Sequence, residues 1–304
     1  MDKMTAKGIK RISSPAEMTR YVVEQKQEGK TVGYVPTMGS LHEGHLSLFK
    51  KARENSDCVI ASVFVNPTQF GERDDYINYP KNIERDAGLA ESAGVDALFI
   101  PEESAIYPNG SDITVKVHSK TDVLCGKSRP GHFDGVATVL IKLFNIVKPD
   151  TAYFGMKDAQ QVAIVTSLVR SFHFPVKLVA CPIVREADGL AKSSRNVRLS
   201  VEERKEAPEL FKGLQAGLRG AKLGETRFDQ LIATVKAYYA KHLTLGKIDY
   251  VDVLNYPDLR RSGTLLSGRF IIACAVRYQN ARLIDNITSD TELFTTVSEA
   301  DESC

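Results

Sequence analysis

Residues 32–55 read VGYVPTMGSLHEGHLSLFKKAREN, and their order decides the architecture. Val32 to Val35 is a short apolar run suited to a buried strand, Pro36 to Ser40 carries the proline and glycine of a turn, and Leu41 to Asn55 sets Leu46, Leu48, Phe49 and Ala52 at helical spacing. A strand that empties through a glycine-containing loop into a helix is the opening unit of a parallel α/β sheet. The same stretch carries chemistry. His42 and His45, three apart, share a face of the first helical turn. Backbone N–H groups and the positive end of the helix dipole favour phosphate there, and Gly39 and Gly44 permit close approach of a nucleotide. A surface pair of histidines or a satisfied core histidine is the plainer reading of such spacing, and a metal site is a third, although HExxH is absent.

Outward from this unit, strand and helix keep alternating. Towards the N-terminus, Ile9 to Lys30 reads as a helix, with Ser13-Ser14-Pro15 as its serine cap and first-turn proline. Downstream, strands are predicted over Cys58–Val65, Val95–Ile100, Ile113–Val117, Thr151–Phe154 and Val176–Cys181, with helices over Asn82–Ala93, Gly135–Val147 and Ala159–Phe172. That order predicts a doubly wound, Rossmann-like parallel sheet of α/β class over residues 1–184. Beyond it, helical patterns at Val201–Arg219 and Arg227–Leu243 and strand patterns at Tyr250–Leu254 and Phe270–Val276 predict a smaller α+β domain over 185–287. Residues 288–304 are acidic and serine-rich and read as a tail.

Composition removes several classes of function. With 43% hydrophobic and 26% charged residues, neither disorder nor a fibrous repeat fits. No apolar run is long enough to span a bilayer and no secretory signal opens the chain, so a cytoplasmic protein without a membrane partner is expected. Cys58, Cys125, Cys181, Cys274 and Cys304 are odd in number and form no CxxC, which argues for reduced thiols. Forty basic against 38 acidic residues leave a net charge of +2, too balanced for a nucleic-acid binder.

Three further clusters lie at successive strand ends, the edge where open α/β sheets bind ligands. In Phe154-Gly155-Met156-Lys157-Asp158, Lys157 is placed to reach a phosphate, and Asp158 either binds a ribose hydroxyl or caps a helix. In Phe64-Val65-Asn66-Pro67-Thr68-Gln69-Phe70, Asn66 and Gln69 supply neutral amides suited to a hydroxy acid, against plain Asn-Pro turn chemistry as the alternative. Lys192-Ser193-Ser194-Arg195 sets two hydroxyls between two cations, a pattern for a mobile phosphate clamp that by itself is better explained by a solvated loop. Together they point to nucleotidyl or acyl-adenylate transfer.

HEGH after a strand and loop, with KSSR downstream, resembles the signatures of the HxGH nucleotidylyltransferase superfamily, relatives of class I aminoacyl-tRNA synthetases. PTMGSLHEGH, FVNPTQF, NYP, RPGHFDGVATVL, YFGMKDAQQ and READGLAKSSRN, taken in order from about Ser13 to Ile287, resemble the pantoate–β-alanine ligase family within it. The resemblance implies that the carboxylate of (R)-pantoate attacks the α-phosphate of ATP, and that the amine of β-alanine then attacks the pantoyl-adenylate, giving pantothenate, AMP and pyrophosphate. It implies that Met38, Gly39, Ser40, Leu41, His42, Glu43, Gly44 and His45 line the ATP site with Gly155, Met156, Lys157, Asp158, Val184, Lys192, Ser193, Ser194 and Arg195. His45 would be the acid-type catalytic residue, assisted by His42 on the phosphates and by Lys157. Gln69 and Gln161 would hold pantoate, with Asn66 assisting Gln69. Mg2+ would bridge the triphosphate without a protein ligand legible in the motifs, Asp86 being the one carboxylate considered.

The resemblance also implies a homodimer and a C-terminal domain that closes with the KSSR loop over the bound nucleotide. Two positions depart from the family, which often has glutamate at Met156 and methionine at Lys192, where the extra cation is expected to help hold phosphate. Arg129 and His132 lie in a shared segment without an assigned role. A transferase that passes a nucleotide to a phosphorylated acceptor, and a nucleotide-binding regulator on a retained fold, are the competing readings.

Overall fold

Six parallel strands, in the order β1-β4-β3-β2-β5-β6, form the main sheet. They are β1 (Lys10–Ile12), β2 (Val32–Thr37), β3 (Cys58–Val63), β4 (Ala97–Phe99), β5 (Thr151–Gly155) and β6 (Lys177–Cys181). This computed structural model describes residues 8–71, 76–261 and 268–291. The chain divides into two compact units, one holding residues up to 186 together with 191–197, the other 187–190 with 198 onward. The KSSR residues therefore group with the first unit, not with the C-terminal domain in which the expected boundary placed them.

The strand order reverses between β2 and β5, the switch point at which a crevice opens outside the carboxyl ends of the strands. Their ladder is short, pairing only Gly33 with Thr151 and Tyr34 with Ala152. Beyond it Pro36 has no N–H to contribute, and the strand ends part towards the loops. α2 (Glu43–Asn55) follows β2 and buries Leu48, Phe49 and Ala52 against the sheet, as its spacing predicts. α1 (Pro15–Gln27), α3 (Ile83–Ser92), α4 (His132–Val147) and α5 (Ala159–Ser171) supply the other long crossovers.

Several boundaries differ from the sequence reading. Lys10–Ile12 forms the edge strand β1 and the helix begins only at Pro15, with Ser14 as N-cap accepting from the Glu17 amide. Ile113–Val117 is not a strand. The Val115 and Val117 amides donate to Thr138 Oγ1 and Asp134 Oδ1 of α4 rather than to a neighbouring strand, and Ile113 is 81% exposed. Short β-branched runs are decided by whether a partner strand is available.

In the second unit the expected helix over 201–219 is two, Val201–Glu206 and α6 (Glu209–Lys222), because Pro208 cannot donate to the Arg204 carbonyl. α6 and α7 (Phe228–His242) pack on an antiparallel sheet of β7 (Lys247–Asn255), β8 (Phe270–Arg277) and β9 (Arg282–Thr288). β9 escaped the sequence reading because Asp285 and Asn286 interrupt its apolar pattern, yet both are buried. Thr288 ends β9 instead of starting a tail, and residues 292–304, Cys304 among them, lie outside the described residues. Cys58, Cys125, Cys181 and Cys274 are buried and in no disulfide. No helix among the described residues is long and apolar enough to cross a membrane.

Candidate active site

The loop after β2 is shaped by a buried carboxylate. Gly39 adopts φ +83°, a conformation open to glycine, and Ser40 follows at +52°. That turn aims the Ser40 and Leu41 amides at Asp86, whose Oδ2 and Oδ1 accept them at 2.8 and 2.9 Å. Asp86 is wholly buried. With each oxygen accepting a main-chain amide it is a brace for the loop; no group of three His, Cys, Asp or Glu side chains converges on a metal position among the described residues.

His42 is the N-cap of α2, not a residue of its first turn, so the pair does not share a helix face. Instead the two imidazoles form a reciprocal capping box. His42 Nδ1 accepts the Gly44 amide at 3.1 Å, and the His42 amide donates to His45 Nδ1 at 3.3 Å. The ring centroids stand 4.1 Å apart. Because each Nδ1 accepts, each ring carries its proton on Nε2. Burial, then nearby positive charge, lowers the His45 pKa to about 3 and that of His42 to about 4. Both are neutral at pH 7, so each ring offers an N–H and neither is an imidazolium.

Asn66 organises the opposite wall. Its carbonyl accepts from Tyr107 Oη at 2.8 Å and Thr68 Oγ1 at 3.0 Å, while its amide donates to Gly135 O and Gln69 Oε1, both at 3.1 Å. Fully buried and fully bonded, it leaves the Gln69 amide to face the cavity, where Nε2 contacts Met38 Sδ at 2.8 Å. His132 Nδ1 and Arg129 Nη2 donate to the main-chain carbonyl of Gln69 at 2.8 and 3.4 Å. The His132 proton therefore sits on Nδ1, and burial beside Arg129 lowers its pKa to about 4. Gly135 makes this arrangement possible: a Cβ there would collide with the Thr68 main-chain carbonyl oxygen.

These walls enclose a cavity of about 240 Å³ whose lining residues all belong to the first unit. Met38, His42, Gly44, His45, Asn66, Gln69, Gly155, Lys157, Asp158, Gln161, Val184 and Lys192 to Arg195 lie on it. Gly39, Ser40, Leu41, Glu43 and Met156 do not: the first three shape the loop behind the wall, and Glu43 faces outward, 3.4 Å from Lys192. Lys157 is only 19% exposed and lies 4.0 Å from Asp158. Lys192 pairs with Glu186 at 2.8 Å as well as with Glu43, so the expected phosphate cation is already held by two carboxylates.

The sequence reading missed the apolar half of the cavity. Val136, Val139, Leu140 and Leu143 of α4 line it, with Phe64, Phe70 and Tyr79. Their i, i+3, i+4, i+7 spacing is legible in the sequence, but a core stripe and a cavity wall have the same period. Chemically, the site offers two neutral N–H donors and a lysine beside a loop at a helix start, facing amides and an apolar wall, a set able to bind an anion on one side and cover an apolar group on the other.

The family model described as pantoate-beta-alanine ligase matches residues 10–288. The pantothenate synthetase of Geobacillus sp. strain WCH70 is 57% identical over 274 residues, covering 90% of this chain and 96% of that protein. That of Bacillus subtilis strain 168 is 51% identical over 282 residues, covering 93% and 98%. Among solved structures, pantothenate synthetase from Thermus thermophilus superposes with a TM-score of 0.84 at 42% identity, over 92% of this chain and 99% of the other. Pantoate-beta-alanine ligase from Francisella tularensis, complexed with beta-gamma ATP and beta-alanine, gives 0.76 at 33% identity, over 94% and 99%.

Proposed function

The chain belongs to the pantoate–β-alanine ligase family, and from that premise we propose that the cavity of the first unit is where (R)-pantoate and β-alanine are joined with ATP to give pantothenate, AMP and pyrophosphate. A pantoate carboxylate oxygen attacks the α-phosphorus, and the bond to pyrophosphate breaks. The β-alanine nitrogen then attacks the acyl carbon, loses a proton, and AMP departs. Neither step needs a protein nucleophile; both need alignment and charge stabilisation at the phosphate.

The observation that carries this reading is the meeting of His42, His45 and Lys157 with the braced Gln69, and with Gln161, in one cavity. The imidazole Nε2–H groups and the Lys157 ammonium donate to phosphate oxygens, while the amides hold the pantoate carboxylate and hydroxyls and the α4 stripe covers its branched carbons. Magnesium would arrive on the nucleotide and offset its charge, held by phosphate oxygens. Ser193, Ser194 and Arg195 flank the nucleotide and help exclude water from the acyl-adenylate. We place the enzyme in the cytoplasm as a homodimer, which sedimentation would report as twice the 33.6 kDa chain mass.

The test is pyrophosphate release from ATP and Mg2+ with (R)-pantoate alone, then with β-alanine added. About one equivalent per site followed by sustained AMP and pantothenate is the expected result. Silence under both conditions, with ATP still bound, would overturn the ligase in favour of a regulator.

A further inference from the structure

Lys192 stands at a junction of three parts of the first unit. Its Nζ lies 2.8 Å from Glu186 Oε2 and 3.4 Å from Glu43 Oε2, and its side chain is 19% exposed. Glu43 is the first residue of α2, set between His42 and His45. Glu186 directly follows Arg185, which bridges Ala191. The backbone fixes the near end of the segment, since the Lys192 amide donates to Val184 O at 2.9 Å and Asn196 Nδ2 to Ala191 O at 3.0 Å. Beyond Lys192 come Ser193, Ser194 and Arg195, all three on the cavity lining.

We propose that Lys192 is a positioning residue: an ionic latch that ties residues 191–197 to the start of α2, so that Ser193, Ser194 and Arg195 stand opposite His42 and His45. One ammonium between two carboxylates leaves the cluster with a net negative charge, which by itself repels a triphosphate. Lys192 thus acts on the nucleotide through the segment it holds. The Glu43 carboxyl is held below its usual range by the amide at the helix start and by Lys192, so this arm of the latch persists through neutral pH. The inference rests on the cavity being the ATP site.

The test compares wild type with Lys192→Met, Lys192→Arg, Glu186→Gln and the Lys192→Met/Glu186→Gln double variant. Two readouts are taken: hydrogen exchange of amides 191–197 and the split between KM for ATP and kcat. Lys192→Met and Glu186→Gln should each speed exchange and raise KM about two- to fivefold, the range of partly exposed ion pairs, with the change falling on KM rather than kcat. The double variant should be no worse than Lys192→Met, and Lys192→Arg should restore both readouts. Glu186→Gln is decisive. If Lys192 were itself a phosphate ligand, releasing it from Glu186 would tighten ATP, and that result overturns the latch, as does unchanged exchange in Lys192→Met. A wild type that releases no pyrophosphate sinks the ligase reading, while exchange still decides the latch.

Discussion

His42 and His45 obtain their donor character from the backbone. Each Nδ1 is committed to a main-chain amide, so each ring, on the cavity lining, keeps its Nε2–H as a neutral donor. His45→Ala should therefore reduce pantoate-dependent pyrophosphate release at least a hundredfold, in the range of a lost oxyanion donor, while the circular-dichroism spectrum stays native. Wild-type turnover would show that another group stabilises the phosphate. The same burial gives a pH signature. The pKa of His42, His45 and His132 falls to about 4, 3 and 4, against 6.5 in the unfolded chain. Below pH 6.5 the unfolded state binds protons that the folded state refuses, so stability is full above that pH and falls on acidification towards the folded values. At pH 5 each costs up to about 2 kcal/mol. Urea unfolding at pH 7 and 5 should show the loss, and His132→Gln should shrink it; an unchanged midpoint would mean these imidazoles are not buried neutral.

At the scale of elements, two loops are held by groups outside the cavity. Asp86, on α3, braces the loop between β2 and α2, and its replacement leaves the Ser40 and Leu41 amides without acceptors. Asp86→Ala should cost about 1–3 kcal/mol per amide and weaken ATP binding, whereas the affinity of Mg2+ for bound nucleotide should hold. Loss of metal affinity alone, at native stability, would return Asp86 to the metal. Gly135, on α4, lets that helix lie against the turn carrying Gln69. Gly135→Ala should cost about 1–3 kcal/mol and raise KM for pantoate more than for ATP. Both residues were visible in the sequence, and neither role was: a carboxylate 46 positions from the amide it serves has no local signature. The Ile113–Val117 run failed in the opposite sense, having strand character in sequence and no strand beside it.

At the scale of the molecule, each unit carries its own buried core, that of the second gathering Leu214, Tyr239, Val253 and Ile272. Leu214→Ala should cost about 2–5 kcal/mol and speed hydrogen exchange across 209–288 while sparing the six-stranded sheet; uniform acceleration would instead mean that both units unfold as one. The alternating order, the strand–loop–helix unit at 32–55 and the polar residues at strand ends were all legible in the chain. They follow from local periodicity, from turn chemistry and from the rule that parallel sheets present loops at one edge. Folding in three dimensions was needed to show that His42 caps α2 instead of lying on it, that Asp86 is a brace, that the α4 stripe is a cavity wall and that Lys192 is paired twice. Each of these depends on what lies across space from a residue. Hydrogen bonds and ion pairs between distant positions leave no period in the chain, and burial is set by the neighbours that folding brings.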